Sequence, residues 1–93
     1  MPKAKKTVTI VNRLGLHARA CATFIQQANR FSSEIRVKCF RGDPEVNGKS
    51  ILGMMMLAVT PGSKIIINAD GIDAQEAVDE LARLVEDKFG EEA

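Results

Sequence analysis

Residues 7–29 read TVTIVNRLGLHARACATFIQQAN, and the hydrophobic period changes within them. Thr7-Val8-Thr9-Ile10-Val11 alternates and is β-branched throughout, the pattern of a strand with one buried face. Asn12 to Gly15 breaks the pattern. Cys21, Phe24, Ile25 and Ala28 then recur at i, i+3, i+4 and i+7, which predicts a helix over roughly residues 18–29.

Downstream, Ile35, Val37 and Cys39 alternate with Arg36 and Lys38, so a second strand with one solvated face follows. Arg41-Gly42-Asp43-Pro44 is a turn, and Glu45-Val46-Asn47 returns as a short third strand. After the Asn47-Gly48-Lys49 turn, Ser50 is a good N-cap for a helix from Ile51 to Leu57, ended by Pro61-Gly62. Lys64 to Ala69 forms a strand centred on Ile65, Ile66 and Ile67. Asp73 can cap a last helix whose stripe is Ala74, Ala77, Val78, Leu81 and either Leu84 or Val85, stopping near Gly90. The order β-α-β-β-α-β-α predicts a two-layer α+β fold, with three helices on one face of a mainly antiparallel four-stranded sheet.

Ninety-three residues make a single domain, 1–93, with no internal repeat or linker. Without Trp or Tyr, the core is left to aliphatic residues and four Phe. So small a core leaves little room for a deep, water-excluding active site, which favours a surface-acting module over a self-sufficient enzyme. Cys21 and Cys39 lie in apolar patterns with no C-x-x-C spacing, and two buried thiols fit a reducing compartment. The basic start, Met1 to Lys6, precedes no apolar run of signal-peptide type, and nothing approaches a membrane span. A cytoplasmic location follows as the expectation.

The net charge of +1 hides an asymmetry. Residues 1–49 hold ten Lys/Arg against three Asp/Glu, whereas residues 50–93 hold three against nine. The only histidine, His17, lies in the basic half, and no acidic residue precedes Glu34. A positive field around one imidazole suits an anionic substrate or an acidic partner. Solvated charge without a partner accounts for the same asymmetry equally well.

His17 follows Gly15-Leu16 at the strand-to-helix junction, with Arg19 two residues later. There it stands over the first helical turn, whose N–H groups lack intrahelical acceptors and whose dipole end is positive. An attached phosphoryl group would be stabilised in that place, and Arg19 could add a charge-assisted contact. A lone histidine at a helix start is more often a surface or capping residue, so position alone does not carry this chemistry. Zinc needs three or four ligands, and one His with two separated Cys do not make a metal site. A catalytic triad needs an orienting carboxylate, and the sequence around His17 offers none.

The segment Ile51-Leu52-Gly53-Met54-Met55-Met56-Leu57 is more apolar than a single packing face requires. Met54, Leu57 and Ala58 fit one face, while Ile51, Leu52 and Met55 fit another. The surplus predicts an exposed, Met-rich docking patch; a helix buried on both sides, or a dimer contact, is the competing reading. Ser50 opens this helix, and its capping role is sufficient by itself. A phosphate there would be welcome to the helix terminus and unwelcome to an acidic partner.

The run Asn12-Arg13-Leu14-Gly15-Leu16-His17-Ala18-Arg19-Ala20 resembles the active-site signature of the HPr family, in which Gly-Leu-His is followed by Arg two residues on. These are the small histidine-phosphorylated carriers of the phosphoenolpyruvate-dependent phosphotransferase system. Asn47-Gly48-Lys49-Ser50-Ile51-Leu52-Gly53 resembles the family's second signature, around its regulatory serine. The signatures occur in the right order, and the order of elements resembles the family's open-faced sandwich from Thr7 to Phe89.

The resemblance implies that His17 is phosphorylated on its δ nitrogen by enzyme I and passes the group to a histidine of an enzyme IIA domain. It implies that Arg19 contacts the phosphate and that Ser50 is the target of an ATP-dependent HPr kinase/phosphorylase where one exists. Ala22, Ile51, Leu52 and Met55 match the surface that docks on partners. No cofactor, metal, nucleic acid or membrane insertion is implied, and a monomer is expected. Two departures stand out: Ala20 occupies a place where Pro is usual, so a looser first turn is expected, and the connection from Arg41 to Glu45 is slightly long. The Asn-Gly-Lys-Ser and Met-rich stretch also resembles the nitrogen-related branch, NPr. Two rival functions are a chiefly regulatory HPr-like protein controlled at Ser50, and a plain protein-interaction or nucleic-acid-binding domain. The latter lacks the aromatic platforms of single-strand binders.

Overall fold

In the computed structural model, which describes residues 2–41, 44–57 and 59–91, the chain runs β1 (Lys3–Thr9), α1 (Ala18–Ala28), β2 (Glu34–Cys39), β3 (Val46–Asn47), α2 (Ile51–Met56), β4 (Lys64–Asp70) and α3 (Ala74–Glu86). The strands form one sheet in the order β1-β4-β2-β3, every neighbouring pair antiparallel. The expected two-layer α+β sandwich is therefore present.

Alternation decides which face is covered. Ile65, Ile67 and Ala69 of β4, Ile35 and Val37 of β2, and Val8 of β1 are buried. Phe24 and Cys21 of α1 and Ala77, Val78, Leu81 and Val85 of α3 join them in one core. The amphipathic stripe of α3 thus closes on Val85, which is fully buried, with Leu84 at its margin.

Several boundaries differ from the sequence expectation. The first strand covers Lys3–Thr9 rather than Thr7–Val11, because Lys3 to Lys6 pair with Asp70 to Ile67 of the long central strand. An edge strand needs apolar residues only on its covered face, so its lysines carry no periodic signal. Lys6 reaches over to Asp79 of α3 at 3.0 Å. Ile10 leaves the strand, yet its N–H still donates to the Ser63 carbonyl at 2.8 Å and its side chain is fully buried. Cys39 is only half-buried, in contrast to fully buried Cys21, because it stands where β2 leaves the sheet. The Gly42-Asp43 part of the expected turn and Ala58 of the expected α2 face lie outside the described residues.

Asp73 occupies the N-cap of α3 but makes no side-chain capping bond. Register explains this: Glu34 lies opposite Asp70, so the β4–α3 turn comes down beside Ser32 and Ser33. Asp73 there accepts from Ser32 N–H (2.9 Å), Ser32 Oγ (3.3 Å), Ser33 N–H (3.0 Å) and Ser33 Oγ (2.5 Å). Four donors outweigh one helix N–H. The Ser33 hydroxyl foremost, then the Ser32 N–H, lower its carboxyl to about 2.

Candidate functional site

The loop between β1 and α1 builds the site from its own backbone. Gly15 has φ +68°, and it accepts through its carbonyl from Asn12 Nδ2 (2.8 Å) and from His17 N–H (3.0 Å). Leu16 N–H donates to the Val59 carbonyl at 3.1 Å, tying the loop to the chain that leaves α2. His17 is then the N-cap of α1, in extended conformation, and its carbonyl accepts the first helical bond from Cys21 N–H at 2.9 Å. The N–H groups of Ala18, Arg19 and Ala20 precede that first bond and have no intrahelical acceptor. Ala20 is buried against the core, and it leaves one more N–H at the helix start than a proline there would. The Cys21 thiol donates to the Leu16 carbonyl at 3.6 Å, and burial pushes its pKa up, so it packs rather than reacts.

Arg13, Leu14, His17, Arg19 and Glu91 line an open depression of about 490 Å³. Two guanidinium groups and an imidazole at a helix start form a setting for an anion. His17 and Arg19, both singled out in the sequence, are brought together here. Asn12, Arg13 and Glu91 were not. Arg13 stands within the same signature, and its place beside His17 is visible only in the fold.

The sequence around His17 offers no orienting carboxylate, but the fold brings one from far along the chain, Glu91. Its Oε2 lies 2.5 Å from His17 Nε2, and its Oε1 accepts from Asn12 Nδ2 at 2.9 Å. The His17 and Glu91 side chains are 28% and 17% exposed. Seventy-four positions separate the two residues, and no local pattern links them.

The device that delivers Glu91 is a turn just after α3. Lys88, Phe89 and Gly90 all have positive φ, at 59°, 57° and 79°. Each non-glycine residue held there costs on the order of 1 kcal/mol or more. Phe89 is buried, and burying an aromatic side chain recovers about 1.5–3 kcal/mol. The buried ring anchors the reversed chain, and Glu91 comes to lie over His17.

α2 supplies the second part of the site. Ser50 Oγ accepts from Gly53 N–H at 3.1 Å, so the expected N-cap forms. Lys49 Nζ reaches the Phe31 carbonyl at 2.7 Å and pins the start of α2 against the end of α1. Met54 is fully buried, whereas Leu52 and Met56 are 75% and 79% exposed, and Ile51 and Met55 are also exposed. The surplus of apolar residues is therefore a surface patch. Exposed Leu14 and Met56, unassigned from sequence, add to the apolar surface, and Ala22 is half-buried in α1. Among the described residues no group of three or more His, Cys, Asp or Glu is arranged to hold a metal ion, and no helix is long and apolar enough to cross a membrane.

Residues 4–87 match the family described as PTS HPr component phosphorylation site. The chain is 47% identical over 87 residues to the phosphocarrier protein HPr of Neisseria meningitidis serogroup A, covering 94% of this chain and 96% of that protein. It is also similar to the crystal structure of HPr from Thermoanaerobacter tengcongensis, with TM-score 0.89 and 44% identity over 97% of this chain and 99% of that one. The catabolite repression protein Crh of Bacillus subtilis, whose crystal structure is a domain-swapped dimer, is similar at TM-score 0.72 and 42% identity, covering 82% of this chain and 85% of its own.

Proposed function

The chain belongs to the HPr family of phosphotransferase-system phosphocarriers, and from that premise we propose that His17 takes a phosphoryl group from phosphorylated enzyme I and passes it to an enzyme IIA histidine. The single observation that carries this reading is His17 at the N-cap of α1, sharing its depression with Arg13 and Arg19. The lone pair of the δ nitrogen attacks phosphorus, the donor's N–P bond breaks, and the donor ring keeps that electron pair. The guanidinium groups and the first-turn N–H groups hold the phosphoryl oxygens. Exclusion of water and in-line alignment come from the partner, since the depression is open. The chain thus serves as carrier, and partners supply the catalysis.

Ala22, Ile51, Leu52 and Met55 form the docking surface in this reading, and exposure of the α2 residues supports it. The carrier reading implies a cytoplasmic protein; the monomer expected from the sequence gains no support, since the solved relatives include the dimer of Crh. Intact-mass analysis after incubation with enzyme I, phosphoenolpyruvate and magnesium tests the proposal. One acid-labile phosphoryl addition is expected in the wild type and none in His17→Ala. Full labelling of the His17→Ala variant would defeat the site assignment.

A second reading is favoured by the likeness to Crh and by Ser50 at the head of the apolar patch. Here an HPr kinase/phosphorylase modifies Ser50, and the added charge controls docking on α2. Incubation with such a kinase and ATP, followed by site mapping, decides it: phosphate on Ser50 is expected, and its absence removes the reading.

A further inference from the structure

We infer that Glu91 is a positioning residue that sets the tautomer of His17 and so directs phosphoryl transfer to the δ nitrogen. The inference rests on the carrier reading and deepens it. An ionised carboxylate is an acceptor only, so the ring nitrogen facing Glu91 Oε2 at 2.5 Å must bring the proton. A neutral imidazole has one N–H. With that proton on Nε2, Nδ1 holds the lone pair and is the nucleophile.

The carboxylate is itself held. Its other oxygen accepts from Asn12 Nδ2, which also donates to the Gly15 carbonyl, and that carbonyl accepts from His17 N–H. The chain of contacts therefore closes on itself: ring to Glu91, Glu91 to Asn12, Asn12 to Gly15, Gly15 to the backbone of His17. Neither the ring nor the carboxylate can turn without breaking a bond of this cycle. The buried Phe89 keeps the far end of the chain in place.

The same contact serves the transfer step. As the N–P bond forms at Nδ1 and the donor's N–P bond breaks, positive charge develops on the His17 ring. The proton stays on Nε2, shared with Glu91, and the carboxylate stabilises the ring as an orienting aspartate does in a catalytic triad. In the reverse direction it fixes the ring while the group leaves.

The test is 15N NMR of the imidazole in wild type, Glu91→Gln and Glu91→Ala, combined with steady-state acceptance of phosphoryl from enzyme I. The wild type is expected to show the Nε2–H tautomer and phosphorylation at Nδ1 alone. Glu91→Ala is expected to show mixed tautomers and a loss of about tenfold in kcat, the lower end of the range known for carboxylates that orient metal-bound histidines, with little change in KM. Glu91→Gln, which keeps an acceptor oxygen and lacks the charge, is expected to fall between them. An Nδ1–H tautomer in the wild type, or unchanged tautomer and kcat in Glu91→Ala, overturns the inference. Absence of labelling in the wild type would defeat the carrier reading alone, since the tautomer is read without enzyme I.

Discussion

Gly15 is pressed against the backbone of Val59: a Cβ built on it would lie 2.5 Å from the Val59 carbonyl oxygen. That oxygen also accepts the Leu16 N–H, so the close approach and the bond that fixes the phosphorylation loop are one arrangement. With φ at +68°, the position demands glycine twice over. Gly15→Ala should lower stability by about 1–3 kcal/mol and displace His17. Urea denaturation measures the first effect, and labelling by enzyme I at matched folded concentration measures the second. A variant of wild-type stability would show that the loop yields without cost.

Asn12 is fully buried between two acceptors, the Gly15 carbonyl and Glu91, and so presents its Nδ2 to both. Its Oδ1 is left buried without a partner among the described residues. Asn12→Asp would replace the shared donor with a carboxylate facing Glu91. Stability at neutral pH should drop by about 1–3 kcal/mol, with partial recovery in acid as the new carboxyl gains a proton to donate. A denaturation series across pH reads both parts; equal stability of the two proteins at neutral pH would refute the role.

The Asp73 carboxyl, lowered from 3.8 to about 2, gives a pH signature to the seam between β2 and α3. A depressed folded-state value means that the stabilisation is complete above the unfolded value and disappears as pH falls through the folded one. The wild type should therefore lose stability between about pH 4 and pH 2. In Asp73→Asn the slope in this window should be shallower, although not absent, because Asp79 is also lowered, chiefly by its bond from Lys6. Thermal melts at steps across the window check this, and identical slopes would remove Asp73 from the account.

Ser50 and its cap separate two roles by substitution. Ser50→Ala removes the acceptor for Gly53 N–H and should cost about 1 kcal/mol. Ser50→Asp keeps an acceptor and adds charge that the helix terminus accommodates, so its stability should stay near that of the wild type. If negative charge beside Ile51 and Leu52 opposes docking, Ser50→Asp alone should raise the KM for enzyme I. Equal KM values for both variants would confine Ser50 to capping.

Much of the fold was legible in local pattern. The alternation of Ile35, Val37 and Cys39, the i, i+3, i+4, i+7 spacing from Cys21 to Ala28, and the stripe along α3 each report a face that water must leave. Burial acts on neighbouring residues of one element, so it writes a local signal. The lysine-rich start of β1 escaped because it is held by pairing to β4, and pairing leaves no period in the paired strand's own sequence. Asp73 shows a related limit: it holds the N-cap position that its residue type suggests, but the register of β2 on β4 brings four donors from Ser32 and Ser33 to its carboxylate in place of a helix N–H.

The sequence alone determined the α+β order, the single histidine with Arg19 two positions on, Ser50 at the head of α2, and the apolar surplus that now lies exposed. These depend on residue type and short spacing, which need no folding to be read. Only the tertiary structure decided that Glu91 attends His17, that Asn12 joins them, and that Arg13 faces the same depression. Such contacts bridge residues up to 79 positions apart, and they arise because buried Phe89 and a left-handed turn bring the end of the chain back across the start of α1.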